Sequence, residues 1–413
     1  MIRVETKAWE KVEIRLQSER SYDNAYTDVV VGVDLEGPEF TRRCYGFWDG
    51  GNEWVIRVTA THGGVWKWRS FSEPFDPGLA DRDGTFSAQE YTEAEKSENE
   101  CRRGFLQPSS EGHAFQHADG TPCFLLGDTW WAAGTFRFPW RAKAASPASD
   151  GFQDYVTLRK TQGYNCVAII AALPNWADDG LPALLKAPDG TVIRAAWGQA
   201  DRDRAKPMHD EDGNVPFIFP GKVPGFVESV PDLDRINPAF FRNLDRKIDY
   251  LNANGIIPFI EPARRDIGQV WKKYHKWPDS YARYIQYVWS RYQANNCLLS
   301  PIHYDTGDLS IPAPDWNEAA NYVIDVYGKP PFGTPVGCNP HWTSLLDFGH
   351  TEEARWISFH QAGNGQRGHY SFSQLTDLFA SNPPVPVLNG EPQYEGMETL
   401  THPEDRSWCF GEI

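Results

Sequence analysis

Two carboxylates follow strand-like apolar runs: Asp305 in LLSPIHYDTGD and Glu391 in PVLNGEPQYEG. Glycosidic bond cleavage needs such a pair, one acid to protonate the leaving oxygen and one carboxylate to attack or stabilise the anomeric carbon. A single carboxylate at a strand end is more often a helix cap or a loop salt bridge. Here the pair belongs to a series, because polar residues also close the other strand-like runs: Asp128, Asn175, Glu261, Asn339 and His360. Glu261 and Glu395, four residues past Glu391, are the competing carboxylates.

Tryptophan adds a second signal. There are 17 in 413 residues, and Trp130, Trp131, Trp140, Trp176 and Trp197 fall near the same strand ends. Aromatic planes cover the flat C–H faces of sugar rings at little entropic cost. Any one of these tryptophans reads first as core packing; as a group they favour a carbohydrate cleft. The expected substrate-contacting set is Asp128, Trp130, Trp131, Asn175, Trp176, Glu261, His303, Tyr304, Asn339, His341, His360, Gln361 and Tyr394.

Other chemistries have less support. His303, His341, His360 and His369 invite a metal, but no HxH or HExxH spacing occurs, so no metal or other cofactor is expected. Hydrogen bonding to sugar hydroxyls suits His341 and His360 better. No GxSxG elbow is present, and Cys166, Cys297 and Cys338 lie inside apolar runs where a thiol packs.

The elements that must position these residues alternate. Strand-like runs cover 122–128, 164–172, 256–262, 297–305, 334–339, 355–361 and 385–391. Amphipathic stretches such as NPAFFRNLDRKIDYLNANG, closed by Gly255, and PDSYARYIQYVWSRYQANN separate several of them. Repeated βα units predict a parallel sheet with right-handed crossovers, and seven units approach an eight-strand (β/α)₈ TIM-type barrel. A doubly wound sheet is the alternative; the absence of a Gly-rich phosphate turn after the first strand favours the barrel. Barrel active sites form at strand C-termini, and in that topology Asp305 and Glu391 face each other across the mouth. Residues 173–236 far exceed a usual βα loop of about 2–6 residues, and read either as a lid over the mouth or as a surface insertion with its own hairpin.

The first ninety residues differ. KVEIRL, DVVVGVDL and EWVIRVTA have period two with turn material between them, which predicts a small all-β sandwich domain over 1–95. Its Trp48, Trp54, Trp66 and Trp68 are expected to pack the sandwich core and not to form a polysaccharide platform. The acid-rich TEAEKSENE marks the boundary, 96–120 reads as linker and lead-in, and 121–413 as the catalytic barrel.

The formal charge of −16 argues against nucleic acid and anionic membranes as partners. No apolar window approaches the length of a spanning helix, and the amino-terminal residues lack the pattern of an export signal. Seven scattered cysteines with no CxxC suggest a reducing, cytoplasmic setting. Oligomeric state, sugar and anomer are not specified by these features.

Longer motifs carry a resemblance. WEKVEIRL, SYDNAYTDVVVGVDL, YGFWDGGNEWVIRV and HGGVWKW resemble an N-terminal β-sandwich domain of unknown function that precedes a catalytic barrel. DGTPCFLLGDTWW, RKTQGYNCVAI, FFRNLDRKIDYLNANGIIP and LNGEPQYEG are similar to the apiosidase-like glycoside hydrolases of family 140 and its relatives. The resemblance implies a retaining glycoside hydrolase that releases an unusual sugar, a furanose among the candidates, from a plant or microbial polysaccharide or oligosaccharide, with Asp305 as acid/base and Glu391 as nucleophile. It leaves as alternatives a carbohydrate-binding protein without turnover and a metal-dependent barrel hydrolase. PIHYD replaces the family's glycine-rich LGGD before the aspartate, and no clear eighth strand precedes Ile413, so an incomplete or atypically closed barrel is expected.

Overall fold

The computed structural model describes residues 4–141, 151–173, 184–194, 209–228, 230–305, 310–363 and 372–392. The period-two runs form β1 (Val4–Lys7), β2 (Lys11–Gln17), β3 (Val30–Gly37), β4 (Phe40–Tyr45), β5 (Phe47–Gly50), β6 (Glu53–Thr59), β7 (Gly64–Glu73) and β8 (Asp83–Gln89), with one helical turn, α1 (Ala25–Asp28). These strands build a five-stranded sheet ordered β1-β8-β7-β3-β4 and a three-stranded sheet ordered β2-β6-β5. Alternate residues of both sheets, among them Ile14, Leu16, Val33, Leu35, Ile56 and Val58, share one core with Trp54, Trp66 and Phe86. Trp54 and Trp66 are fully buried, and Trp48 and Trp68 pack partly buried against the same core. Gly37 is glycine because a Cβ there would lie 2.3 Å from the Trp66 ring.

The stretch expected to be a linker is structured. Thr92 and Glu95 form a reciprocal capping box that starts α2 (Glu93–Glu98). A three-stranded sheet follows, β9 (Leu106–Pro108), β10 (Phe115–His117) and β11 (Pro122–Cys123). Its Leu106 and Phe115 share a cluster with Ile257, Phe259, Leu298 and Phe359, so it seats under the N-terminal side of the strands that follow. The run 122–128 is therefore not one strand. Its first residues pair antiparallel in this small sheet, and the parallel body begins only at β12 (Gly127–Thr129).

The body continues with α3 (Phe152–Thr161), β13 (Cys166–Ile170), a hairpin of β14 (Leu184–Lys186) and β15 (Val192–Arg194), and the antiparallel pair β16 (Phe217–Ile218) and β17 (Asp232–Ile236). Next come α4 (Pro238–Ala253), β18 (Ile257–Glu261), α5 (Gly268–Tyr274), α6 (Asp279–Tyr292), β19 (Leu298–Leu299), α7 (Ala313–Tyr327), α8 (Ser344–Phe348), β20 (His360–Ala362), α9 (Phe372–Phe379) and β21 (Val387–Asn389). α4 starts at an Asn237 cap with Pro238 at its first position and is followed by Gly255 at φ +77°, as the sequence pattern predicts.

β12, β13, β18 and β19 pair in chain order and in parallel. Val336 then bridges Leu299, the Ser358 amide donates to the Val336 carbonyl at 2.8 Å, and β20 pairs in parallel with β21. Seven segments thus neighbour one another in sequence order, which is the barrel-type arrangement and not the doubly wound one. Closure of the ring, and with it the expectation of an incomplete or atypically closed barrel, lies outside the described residues. β19 is short because Pro301 has no N–H for the ladder; bridging resumes at His303, which contacts both Arg264 and Asn339.

Candidate functional site

β18 ends in Glu261, whose side chain is completely buried. Neither carboxylate oxygen is left to water: Oε2 lies 2.6 Å from His303 Nδ1, and Oε1 accepts the Asn339 amide at 3.2 Å. Burial raises the Glu261 pKa, and His303 opposes the rise. His303 is itself fully buried, its ring 4.4 Å from that of Trp131. Burial works against an imidazolium there, but Glu261 and Asp305 outweigh it and push the His303 pKa up to about 10.

Asp305 reaches further toward solvent, with 15% of its side chain exposed. Arg264 Nη2 donates to Oδ2 at 2.7 Å, Arg265 holds Oδ1, and His303 Nε2 lies 3.7 Å from Oδ2. Burial alone would raise this carboxyl, but His303 and the two arginines hold it far below the usual carboxylate range. A raised pKa, the expectation for a resident general acid, is therefore not what this environment produces. Sequence reasoning missed Arg264 and Arg265. The signal was available: EPARRD places two adjacent cations directly after a strand end in a strongly acidic chain.

Glu391 is 3% exposed and accepts the Asn339 amide nitrogen at 3.1 Å. Asn339 also accepts Gln361 Nε2 at 3.2 Å on its Oδ1. A continuous chain of contacts thus runs from Glu391 through Asn339 to Glu261, His303 and Asp305. Gly390 makes this packing feasible, since a Cβ there would lie 1.8 Å from Gln361 Nε2. Gln361 Oε1 and His360 Nε2 are buried without a hydrogen-bond partner. Ser344 orients both residues, with its hydroxyl 2.8 Å from His360 Nδ1 and accepting the Gln361 amide at 2.9 Å. Burial, with His350 nearby, lowers the His360 pKa to about 4, so this ring is neutral at pH 7.

The remaining candidates divide. Tyr304 is buried against Phe348, with its backbone tied to Asn339. His341 is half-buried beside the exposed Trp342, and Asp347 caps both backbone amides. Trp131 is partly exposed at the His303 ring. Asp128 is turned the other way, bound to Arg159 at 2.6 Å, to Tyr155 and to Trp130 Nε1. Trp130 is 4% exposed among Phe138, Phe152 and Tyr155, and Trp140 stacks on Phe152. The strand-end positions of Asp128 and Trp130 were thus misleading as signs of substrate contact: an apolar helix face claims Trp130, and Arg159 on α3 claims Asp128. Asn175, Trp176, Tyr394 and Glu395 lie outside the described residues.

Among the described residues, the one cluster with metal-ligand geometry is Asp232, Asp234 and His275. Lys222 lies 3.0 and 2.7 Å from the two aspartates and Arg283 3.2 Å from Asp234, so protein cations already neutralise it. The hairpin β14–β15 sits against α5, where Asp189 binds Lys273 and Tyr274.

Comparison with known proteins follows this geometry. The family model described as "Apiosidase-like, catalytic domain" matches residues 109–410, and a domain of unknown function, DUF5060, matches residues 5–73. No curated protein sequence matches the chain. Among solved structures, a provisionally assigned glycoside hydrolase from Bacteroides vulgatus superposes with a TM-score of 0.56 at 17% identity, over 96% of this chain and 74% of its own. A family 5 glycoside hydrolase from the same organism gives 0.46 at 18% identity, over 74% and 57%. A family 5 mannosidase from Rhizomucor miehei gives 0.37 at 12% identity, over 63% and 61%. At such identities the first of these speaks to fold alone.

Proposed function

The chain belongs to the apiosidase-like family, whose catalytic-domain model spans most of its length, and from that premise we propose that it cleaves its glycosidic bond by a retaining mechanism, with Glu391 as nucleophile and Asp305 as acid/base. It is a glycoside hydrolase, so the proposal concerns how the bond is cut and which sugar is released. The observation that carries it is the buried chain linking Glu391, Asn339, His303 and Asp305 at the ends of three different strand segments. Asn339 Nδ2 donates to Glu391 Oε2 at 3.1 Å and so orients the carboxylate for attack. In the first step the anomeric carbon passes from the leaving oxygen to a Glu391 oxygen while Asp305 protonates the departing group. In the second, Asp305 takes a proton from water, which displaces Glu391.

The glycone is proposed to be a furanose of the apiose kind, released from a polysaccharide or oligosaccharide fragment. The family description supports this. The segment 173–236 would wall that site, and a two-domain division near residue 95 would set the sandwich apart from the chemistry.

The test is product release from plant cell-wall oligosaccharides, followed by Glu391→Ala. Turnover should fall at least 10⁴-fold and return in part with azide, giving a glycosyl azide of inverted configuration. A Glu391→Ala enzyme of near-normal activity would falsify the nucleophile assignment.

A further inference from the structure

Glu261, His303 and Asp305 stand in line. The Glu261 carboxylate holds His303 Nδ1 at 2.6 Å, and the opposite ring nitrogen, Nε2, lies 3.7 Å from Asp305 Oδ2. Trp131 covers the ring face, and neither Glu261 nor His303 has any surface on which to meet a sugar. This excludes the direct substrate contact that their strand-end positions suggest. Asp305, in contrast, has exposed surface, and Arg264 and Arg265 bind it as an anion. An acid/base so held must obtain its proton from a neighbour at the moment of reaction, and among the described residues His303 faces it with a transferable proton.

We propose, on the reading that Asp305 is the acid/base, that His303 is a positioning residue that stores the proton Asp305 delivers and takes back, and that Glu261 fixes the ring for this role. In the first step the Nε2–H proton moves to Asp305 and from there to the leaving oxygen, so His303 becomes neutral as the C1–O bond breaks and the C1–O bond to Glu391 forms. In the second step water loses a proton through Asp305 to Nε2, its oxygen bonds to C1, and Glu391 leaves. The imidazolium is restored and no external acid is consumed. Its pKa of about 10 accords with a proton resident on His303 at neutral pH. Among the described residues, the ionisable groups on the elements around it are Glu261, Arg264, Arg265 and Asp266 after β18, Asp305 on its own segment, and Glu391 after β21. The arginines favour ionised Asp305; Glu261 favours protonated His303.

Two measurements test the assignment. In the wild-type enzyme, nitrogen-15 NMR of the histidine rings, with His303 identified by its absence in His303→Gln, should show a ring protonated on both nitrogens at pH 7. A neutral ring would overturn the proposal. Second, 2,4-dinitrophenyl and phenyl furanosides (apio-, arabino- and galactofuranosides) are compared as substrates. His303→Gln should lower kcat/KM for the phenyl glycoside at least 100-fold and for the dinitrophenyl glycoside less than tenfold, because only the poorer leaving group requires the acid. Glu261→Gln should keep the fold and move the alkaline limb of the pH profile downward, since the carboxylate that sustains the imidazolium is gone. If Asp305→Ala shows the leaving-group contrast and both partner variants lack it, the proton-store role fails while Asp305 stands. If Asp305→Ala itself lacks the contrast, the underlying assignment is what fails.

Discussion

Asp245 offers the sharpest test of how the sandwich is fastened to the parallel body. Its carboxylate, on α4, accepts four hydrogen bonds: Arg57 Nη1 at 3.1 Å and Nη2 at 2.6 Å from β6, and Arg291 Nε at 2.9 Å and Nη2 at 2.7 Å from α6. All three side chains are at most one-tenth exposed. Removing one member of a buried ionic group costs about 3–5 kcal/mol, because the partners stay buried without their counter-charge. Here each arginine keeps one carboxylate, Glu13 at 3.0 Å for Arg57 and Asp49 at 2.9 Å for Arg291, which puts Asp245→Asn near the lower end, about 3 kcal/mol. At roughly 2–4 °C per kcal/mol for a unit of this size, the melting temperature should drop by about 6 °C or more. Burial opposes ionisation of Asp245, but the two arginines hold its carboxyl well below the usual range. A depressed native pKa stabilises above the unfolded value near 4 and is lost as the pH falls toward the native one. The gap between wild type and Asp245→Asn in urea unfolding should therefore be full at pH 7 and shrink below pH 4. The exposed pair of Arg355 and Asp325 is the control, and Arg355→Ala should leave the melting temperature unchanged. A loss under about 1 kcal/mol for Asp245→Asn, or a gap that does not close in acid, would refute the reasoning.

The two neighbouring tryptophans should separate by readout. Trp130→Ala should cost about 3–5 kcal/mol in denaturant unfolding through the cavity it leaves, whereas Trp131→Ala should raise KM with a smaller stability change. Gly390→Ala should lower turnover more than 10-fold, checked by steady-state kinetics, since its methyl would collide with the Gln361 amide beside Glu391. Gly337→Ala places a methyl 2.2 Å from the Phe359 ring and should instead destabilise by about 1–3 kcal/mol, as read by thermal melting. Native thiol titration should leave Cys44, Cys101, Cys166, Cys297 and Cys338 unreacted, because burial raises each thiol pKa and blocks access.

The order of elements could be read from the chain alone. Period two over β2, β3 and β6, the capped amphipathic repeat of α4, and apolar runs ending in Glu261, Asn339, His360 and Glu391 are local properties. They reflect which side chains must be buried and at what spacing, and no long-range contact is needed to see them. Local pattern also overran its limits. It joined Pro122–Cys123 to Gly127–Thr129 as one strand because apolarity does not say which sheet a residue pairs with. The segment after residue 95 reads as linker and lead-in because three short strands bury little on their own. The partners of the polar strand ends were decided only in three dimensions. Asp128 turns to Arg159, Glu261 and His303 pair out of reach of solvent, and two arginines adjacent in sequence close on Asp305 from the neighbouring strand end. A carboxyl group's proton affinity is a sum over charges and burial within a few ångströms, and most of those neighbours lie tens of residues away along the chain. Spacing therefore found the carboxylates, and tertiary packing set which charges and how much burial act on Glu261 and Asp305.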